Sequence, residues 1–163
     1  MKTQRFVFSL FVLLFTLILG TGTHGGERKS IRPGPRDKCP VCGMFVAKYP
    51  DWIAEILFKD GSHAFFDGAK DMFKYYLNLK RYNPSKTMGD IDSIYVTDYY
   101  DLAWVDGNGA FYVIGSDVYG PMGRELVPFR EEAGARDFLK DHKGKSVLKF
   151  KGVTPEVVKT LDD

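Results

Sequence analysis

Residues 52–66 (WIAEILFKDGSHAFF) decide the fold, because they hold two apolar runs separated by a strong turn signal. The first run, residues 52–58, has the aromatic and β-branched content that predicts a strand. The Asp-Gly pair within residues 59–62 (KDGS) is typical of a hairpin turn. The second run, residues 63–66 (HAFF), is therefore predicted to return as an antiparallel partner.

A helix is predicted to follow this hairpin, and then a further strand. Asp67 is expected to be the N-cap, since its side-chain oxygen could accept a hydrogen bond from a free N–H group of the first turn. Residues 83–85 are predicted to form a loop, and residues 94–97 (IYVT) a strand. The apolar residues that recur at helical spacing are Ala69, Met72, Phe73, Tyr76 and Leu77.

The same order of elements is predicted for the second half of the chain. In order, the expected elements are an extended stretch at 110–119, a turn at 120–123 (GPMG), a strand at 125–127, a helix at 130–142 and a strand at 147–150. Gly144 is expected to cap the C-terminus of the second helix. Each half therefore has the order ββαβ.

A weak internal repeat supports this division. A shift of 62 residues places Tyr76 and Leu77 on Phe138 and Leu139. Each ββαβ unit would leave one sheet face uncovered, and packing the two units together would bury both faces. We therefore predict an α+β fold of two homologous ββαβ lobes packed together, at about residues 39–98 and 99–153. Residues 154–163 are expected to be a C-terminal tail.

The first 25 residues are typical of an export signal. Lys2 and Arg5 are their only charged residues, and the apolar run at 6–19 is shorter than the roughly 20 residues that a membrane-spanning helix needs. We predict residues 1–25 to be a signal peptide or an N-terminal anchor. Residues 26–38 are polar and rich in Pro and Gly, which predicts a flexible tether.

These features predict an extracytoplasmic protein of the periplasm, either soluble after cleavage of the signal or tethered to the membrane through its N-terminus. The formal net charge is +2, and removal of Lys2 and Arg5 would leave the chain nearly neutral. With no basic stripe or acidic tail, the sequence excludes nucleic acid as an expected partner.

The motif with most chemical meaning is 39–44 (CPVCGM), which contains both cysteines of the chain. An inert disulfide is one interpretation, although a bridge across two residues would constrain the unfolded chain little. Covalent haem would require a His after Cys42, where Gly43 stands. Structural zinc would require a second Cys/His cluster, and His63 and His142 are isolated. A thiol–disulfide reductase would place the motif at a helix N-terminus, which Gly43 and the extended run beyond it disfavour.

A soft-metal site fits the motif best. If the segment is extended, Cys42 and Met44 lie on the same face, and a thiolate with a thioether selects Cu(I) over hard cations. Met122 is the expected third ligand, because a turn tip gives a Met side chain little to bury, although it could also pack under its neighbours. Met72 is expected in the core and Met88 on the surface. No nucleophile elbow, phosphate loop or carboxylate pair indicates an enzyme.

Four stretches resemble the NosL family, accessory proteins of nitrous oxide reductase. They are CPVCGMFVAKYPDW (39–52), FFDGAKDMFKYY (65–76), IYVTDYY (94–100) and YVIGSDVYGPMGRELVPF (112–129). The resemblance implies a NosL-like copper-binding domain over residues 39–153, with a fold similar to that of organomercurial lyase. It also implies a periplasmic Cu(I) metallochaperone with Cys42, Met44 and Met122 as metal ligands and Cys39 as an auxiliary thiol only.

The resemblance further implies a partner and a location. Family members are thought to pass copper to a membrane-bound assembly complex that matures the copper centres of nitrous oxide reductase, and a related apo-cuproprotein is the alternative client. They are commonly lipoproteins with a lipidated Cys directly after the signal. This chain has Thr21, Gly22 and His24 in that region.

Overall fold

Residues 30–162 are described by the computed structural model of this chain, and they form an α+β fold. The strands of this part are β1 (Ala54–Phe58), β2 (His63–Phe66), β3 (Ile91–Thr97), β4 (Trp104–Asp106), β5 (Phe111–Ile114), β6 (Tyr119–Gly120), β7 (Gly123–Arg124), β8 (Val127–Phe129) and β9 (Ser146–Lys149). The helices are α1 (Ala69–Leu77), α2 (Leu79–Tyr82), α3 (Glu132–Asp141) and α4 (Pro155–Lys159).

The predicted hairpin at residues 52–66 is confirmed as the centre of the first sheet. Its strand order is β2-β1-β3-β4, with every pair antiparallel. All five residues of β1 are buried, as expected for a central strand covered on both faces. The turn closes because the Ser62 N–H and hydroxyl both donate to Asp60 Oδ1, and Gly61 takes the left-handed conformation at φ 85°.

The second sheet repeats the strand order of the first. Its order is β8-β5-β9, again antiparallel throughout, and α3 connects β8 to β9 as α1 and α2 connect β2 to β3. The predicted ββαβ order is thus present in both halves, while the homology of the halves stays a prediction. The boundary predicted at about residue 98 differs from the structure. Residues 104–106 fall in the predicted second lobe, but they form β4, which pairs with β3 and completes the first sheet.

One core joins the two sheets. Tyr112 and Val113 are neighbours on β5 and therefore point to opposite faces, and both are fully buried. Tyr112 packs in the larger apolar cluster, where its ring lies 5.0 Å from that of Phe73 on α1. Val113 packs in a smaller cluster with Phe138 of α3. The second sheet is therefore covered by its own helix on one face and by the first half of the chain on the other.

Both predicted helix caps require correction. The N-cap of α1 is Gly68 and not Asp67, so the N-cap residue has no side chain that could accept a hydrogen bond from the first turn. At the C-terminus of α3, the left-handed residue is Lys143, at φ 54°, and not Gly144. The Gly144 N–H closes the motif by donating to the Leu139 carbonyl at 2.7 Å. Gly144 is small because a Cβ there would lie 2.8 Å from Val113 Cγ1.

The segment expected to be a C-terminal tail contains α4. Thr154 caps this helix by accepting a hydrogen bond from the Val157 N–H, and Pro155 occupies its first turn. Val158 and Leu161 are buried in the larger cluster, so these residues belong to the folded domain. This helix was not predicted, because five residues are too few to show a helical periodicity in the sequence.

The N-terminal predictions concern residues that are described only in part. The expected signal or anchor, residues 1–25, lies outside the described residues. From residue 30 to residue 162, no helix is both long enough and apolar enough to cross a membrane. At the end of the segment predicted to be a tether, the Gly34 N–H donates to Asp37 Oδ2 at 2.6 Å, and Lys38 forms an isolated antiparallel bridge with Phe45.

Candidate metal centre

The two cysteines lie in a tight loop between the tether and β1. The Cys39 N–H donates to the Met44 carbonyl and the Gly43 N–H donates to the Cys39 carbonyl, both at 2.9 Å. Gly43 takes φ 80°, a conformation that a residue with a Cβ adopts only with strain. The expectation of an extended segment through Cys42 is therefore wrong, and the same-face argument for Cys42 and Met44 no longer holds.

The start of α1 brings two carboxylates to this loop, Asp71 from its first turn and Asp67 from the residue before its N-cap. Cys42 Sγ donates to Asp67 Oδ1 at 3.2 Å, and Cys39 Sγ donates to Asp71 Oδ2 at 3.4 Å. One ligand atom of each of these four residues lies within 4.8 Å of the other three.

Burial keeps both thiols protonated in the metal-free protein. Cys39 is 1% exposed, Cys42 is half-buried, and neither forms a disulfide. Burial raises the pKa of Cys42 to about 12, and backbone hydrogen bonding from Met44 opposes the shift only in part. Burial likewise raises the pKa of Cys39 far above its ordinary value. A thiol–disulfide reductase requires an accessible thiol with a lowered pKa. Cys39 is enclosed, and Cys42, although partly exposed, has a raised pKa.

The cluster has the properties of a cation site. Asp67 is buried, and its Oδ2 atom has no hydrogen-bond partner among the described residues. A buried carboxylate oxygen without a partner is costly, and a bound cation would satisfy it. The two sulfurs suit a soft ion, and the loop also directs backbone N–H groups of Val41 and Cys42 towards Cys39, which stabilises a thiolate there.

Asp67 and Asp71 were not predicted as site residues. Asp67 was expected to be a helix cap, and zinc was disfavoured because the sequence shows no second Cys/His cluster. The carboxylates of Asp67 and Asp71 supply oxygen ligands, and zinc accepts oxygen ligands as well as sulfur and nitrogen ligands. Their spacing in FFDGAKDMFKYY was the available signal, but only the tertiary contact with the cysteine loop gives that spacing its meaning.

The methionines occupy different environments. Met44 is half-buried beside Cys42, and its carbonyl closes the cysteine loop. Met122 is 44% exposed at the tip of the β6–β7 hairpin, so its predicted position on a turn is confirmed. Met72 is fully buried in the core and Met88 is 46% exposed, also as predicted.

The Met122 hairpin is attached to the same turn of α1 as the cysteine loop. Lys70 Nζ donates to the Met122 carbonyl at 2.7 Å. The carboxylate of Glu125, directly after β7, accepts a hydrogen bond from the Lys70 N–H. Residues 67–71 therefore contact the two cysteines on one side and the Met122 hairpin on another.

The histidines lie outside this cluster. His63 Nδ1 pairs with the buried carboxylate of Glu55 in the first sheet. His142 Nδ1 lies 3.2 Å from Asp117 Oδ1 at the end of α3. Over residues 30–162, the cysteine–aspartate cluster is the one group of three or more His, Cys, Asp or Glu residues close enough to share an ion.

Both the sequence and the fold of this chain are similar to those of known proteins. The chain is 29% identical over 155 residues to a protein named copper-binding lipoprotein NosL from Stutzerimonas stutzeri, covering 88% of this chain and 77% of that one. The fold matches the crystal structure of the copper chaperone NosL from Shewanella denitrificans with a TM-score of 0.67. That match has 21% identity and covers 78% of this chain and 97% of the other. The family model NosL matches residues 30–158, and the chain therefore belongs to the NosL family.

Proposed function

We propose that this protein binds one Cu(I) ion as cargo and passes it to a copper protein or its assembly machinery. The observation that carries the proposal is the meeting of the cysteine loop and the Met122 hairpin on the first turn of α1. The names of the similar proteins, a copper-binding lipoprotein and a copper chaperone, support the choice of metal.

Each proposed ligand has a distinct role. Cys42 would supply the anionic thiolate, since it is the less buried of the two cysteines. Met44 and Met122 would supply neutral thioethers, which favour Cu(I) and release it more readily than a second thiolate would. Cys39 would be auxiliary, because its side chain is fully buried beside Asp71.

Anaerobic Cu(I) titration of the reduced protein, in competition with a Cu(I) chelator, tests the ligand set. We expect one Cu(I) per chain, the largest loss of affinity for Cys42→Ser, and a smaller loss for Met44→Ala and Met122→Ala. Met88→Ala is the matched control, because Met88 is 46% exposed against 44% for Met122 and lies in a separate turn. Equal affinities for the Met122 and Met88 variants would remove Met122 from the ligand set.

X-ray absorption of the copper-loaded protein provides an independent check. Sulfur scatterers should dominate the copper spectrum. The zinc spectrum of protein loaded with Zn²⁺ should show whether the oxygens of Asp67 and Asp71 bind that ion. A spectrum dominated by nitrogen would contradict the sulfur ligands and bring His63 or His142 into the site.

Delivery is proposed to take place outside the cytoplasm. The client would be nitrous oxide reductase, through a membrane-bound complex that assembles its copper centres, or a related apo-cuproprotein. The copper content of the reductase from cells that produce this protein or its Cys42→Ser variant tests this step. If nitrous oxide reductase keeps its full copper content in cells that produce the Cys42→Ser variant, it is excluded as the client.

The alternative is a thiol–disulfide reductase that uses Cys39 and Cys42. Burial and the raised pKa of Cys42 count against it, since thiol exchange proceeds through an accessible thiolate. The similar proteins are named for copper binding and not for an enzymatic reaction. We therefore favour a carrier over an enzyme.

A further inference from the structure

The hairpin that carries Met122 cannot fix its own orientation. Its two strands pair only Tyr119 with Arg124 and Gly120 with Gly123. A two-stranded ribbon of this length is unstable on its own in water. Its orientation must therefore be set by contacts with the rest of the protein.

Lys70 supplies the first of these contacts. Its side chain is 3% exposed, and its Nζ donates to the Met122 carbonyl at 2.7 Å and to the Leu161 carbonyl at 3.3 Å. The Asp162 carboxylate lies 3.8 Å from the same Nζ. Burying an ammonium group is costly unless it is hydrogen-bonded, so the Lys70 Nζ atom must keep these partners. The contacts therefore hold the tip of the hairpin at a defined distance from α1 and from residues 161–162.

Glu125 supplies the second contact. Its carboxylate is buried and accepts hydrogen bonds from the backbone N–H groups of Lys70 and Leu126. It fills the space between two glycines, since a Cβ on Gly68 would lie 2.2 Å from Glu125 Oε2 and one on Gly120 would lie 3.1 Å from it. The carboxylate therefore joins the start of α1 to the base of the hairpin.

Lys70 and Glu125 both make their contacts at the start of α1, next to the residues that accept hydrogen bonds from the cysteines. Asp67 and Asp71 accept hydrogen bonds from Cys42 and Cys39, while Lys70, between them in sequence, contacts the hairpin. We infer that Lys70 and Glu125 are positioning residues that hold the Met122 thioether ready for a metal ion bound at Cys42. This inference rests on the proposed Cu(I) function and on Met122 as a ligand.

A double-mutant cycle tests the inference. Lys70→Leu keeps part of the apolar stem, removes the ammonium and adds no sulfur, so it should release the Met122 carbonyl. We expect it to weaken Cu(I) binding about 10-fold in chelator competition, the lower end of what lost outer-shell partners of metal ligands cause. In a Met122→Ala background the same substitution should change affinity little, because the ligand that Lys70 positions is already gone.

The matched control is Lys149→Leu. Lys149 Nζ also donates to a backbone carbonyl of a turn, that of Gly109 at 2.8 Å, but this turn lies outside the cysteine and hairpin region. The control should leave Cu(I) affinity unchanged in both backgrounds. X-ray absorption of copper-loaded Lys70→Leu should in addition show weaker sulfur scattering than the parent, which a general loss of stability would not produce.

The outcomes separate the two ideas. If Met122→Ala alone keeps full affinity, the proposed ligand set fails. If Met122→Ala loses affinity but Lys70→Leu does not, or if Lys70→Leu lowers affinity equally in both backgrounds, the positioning role is overturned while the ligand set stands. Should Lys70→Leu not fold, Gly68→Ala in the same cycle decides, because its methyl group would displace the Glu125 carboxylate. Gly152→Ala is the control for that variant, since a Cβ there would make only ordinary van der Waals contact with Leu148 at 3.8 Å.

Discussion

Cys39 and Cys42 have the same chemistry but different environments, and the difference assigns them different roles. Cys39 is fully enclosed beside Asp71, whereas Cys42 is half-buried beside Asp67. A metal ion arriving from solvent would reach Cys42 first. A Cys39–Cys42 disulfide would remove that thiolate from copper binding.

Cys39→Ser is therefore expected to keep much of the Cu(I) affinity and most of the copper delivery. Serine is close to cysteine in size, and its hydroxyl can still donate to Asp71. Chelator competition and copper loading of the client in cells measure the two quantities. A thiol–disulfide reductase needs an attacking and a resolving thiol. Loss of copper delivery in Cys39→Ser, with full delivery in Met122→Ala, would therefore support the reductase instead.

Glu125 should make the stability of the protein depend on pH. Burial raises its pKa from 4.5 to about 8, with the nearby Lys70 charge lowering it and the Asp71 charge raising it. The folded state therefore retains a proton at pH values where the unfolded state has lost it. This contribution to stability is complete below about pH 4.5 and is lost as the pH rises through about 8.

The free energy of unfolding, measured by urea denaturation across this range, should thus fall with rising pH more steeply for the parent than for Glu125→Gln. Glutamine keeps an acceptor for the Lys70 and Leu126 N–H groups but carries no titratable proton. Parallel pH profiles for the two proteins would show that Glu125 is ionised in the folded state.

At the scale of the elements, the sequence predicted those whose signals are local. The hairpin at residues 52–66 follows from two apolar runs and an Asp-Gly turn, and the β6–β7 turn follows from GPMG. Strand β4, with three residues, is too short for its periodicity to be detected. The N-cap of α1 is Gly68, and residue 68 must lack a side chain because the Glu125 carboxylate fills the adjacent space, a contact between residues far apart in the chain.

The candidate site divides in the same way. The sulfur ligands could be proposed from residue type, because few chemistries use CPVCGM together with a Met at a turn, but the extended geometry expected for Cys42 and Met44 was wrong. Asp67 and Asp71 could not, since carboxylates at a helix start are common and only the docking of the cysteine loop makes these two special. Likewise, Lys70 gives no sign in the sequence that it is buried.

Helix α4 should stabilise the whole domain despite its five residues. Leu161, two residues after its end, is 4% exposed, and its carbonyl accepts a hydrogen bond from Lys70. Leu161→Ala should lower the free energy of unfolding by about 2–5 kcal/mol, as expected for a buried leucine. Lys159→Ala, an exposed change on the same helix, should stay within about 0.5 kcal/mol. Urea denaturation measures both, and equal stabilities would mean that the segment does not pack as a part of the core.

At the scale of the whole molecule, the two sheets are joined by packing and by hydrogen bonds. The Tyr112 ring of the second sheet contacts Phe73 of α1, and the Tyr99 N–H after β3 donates to the Pro128 carbonyl of β8 at 3.0 Å. Asp98 Oδ2 also accepts the Arg130 N–H at 2.6 Å. Neither sheet could separate from the other without exposing buried aromatic rings.

The two halves should therefore unfold together, and the two tryptophans allow a direct test. Trp104 packs against the larger apolar cluster, while Trp52 packs against the smaller one, with its ring 6.0 Å from Tyr99. Trp52→Phe leaves a reporter on the larger cluster, and Trp104→Phe leaves one on the smaller. Within each variant, the urea midpoint from fluorescence should equal the midpoint from far-ultraviolet circular dichroism, as for a two-state transition.

Comparing the two probes within one variant removes any change in stability that the substitution itself causes. A fluorescence midpoint below the circular dichroism midpoint in Trp104→Phe alone would show that the smaller cluster melts first. The lobes would then be separate folding units, and the cysteine loop and Met122 hairpin, which lie in different halves of the chain, could move apart without unfolding the protein. Coincident midpoints in both variants would instead mean that the shared core keeps these two parts of the proposed copper site in register up to global unfolding.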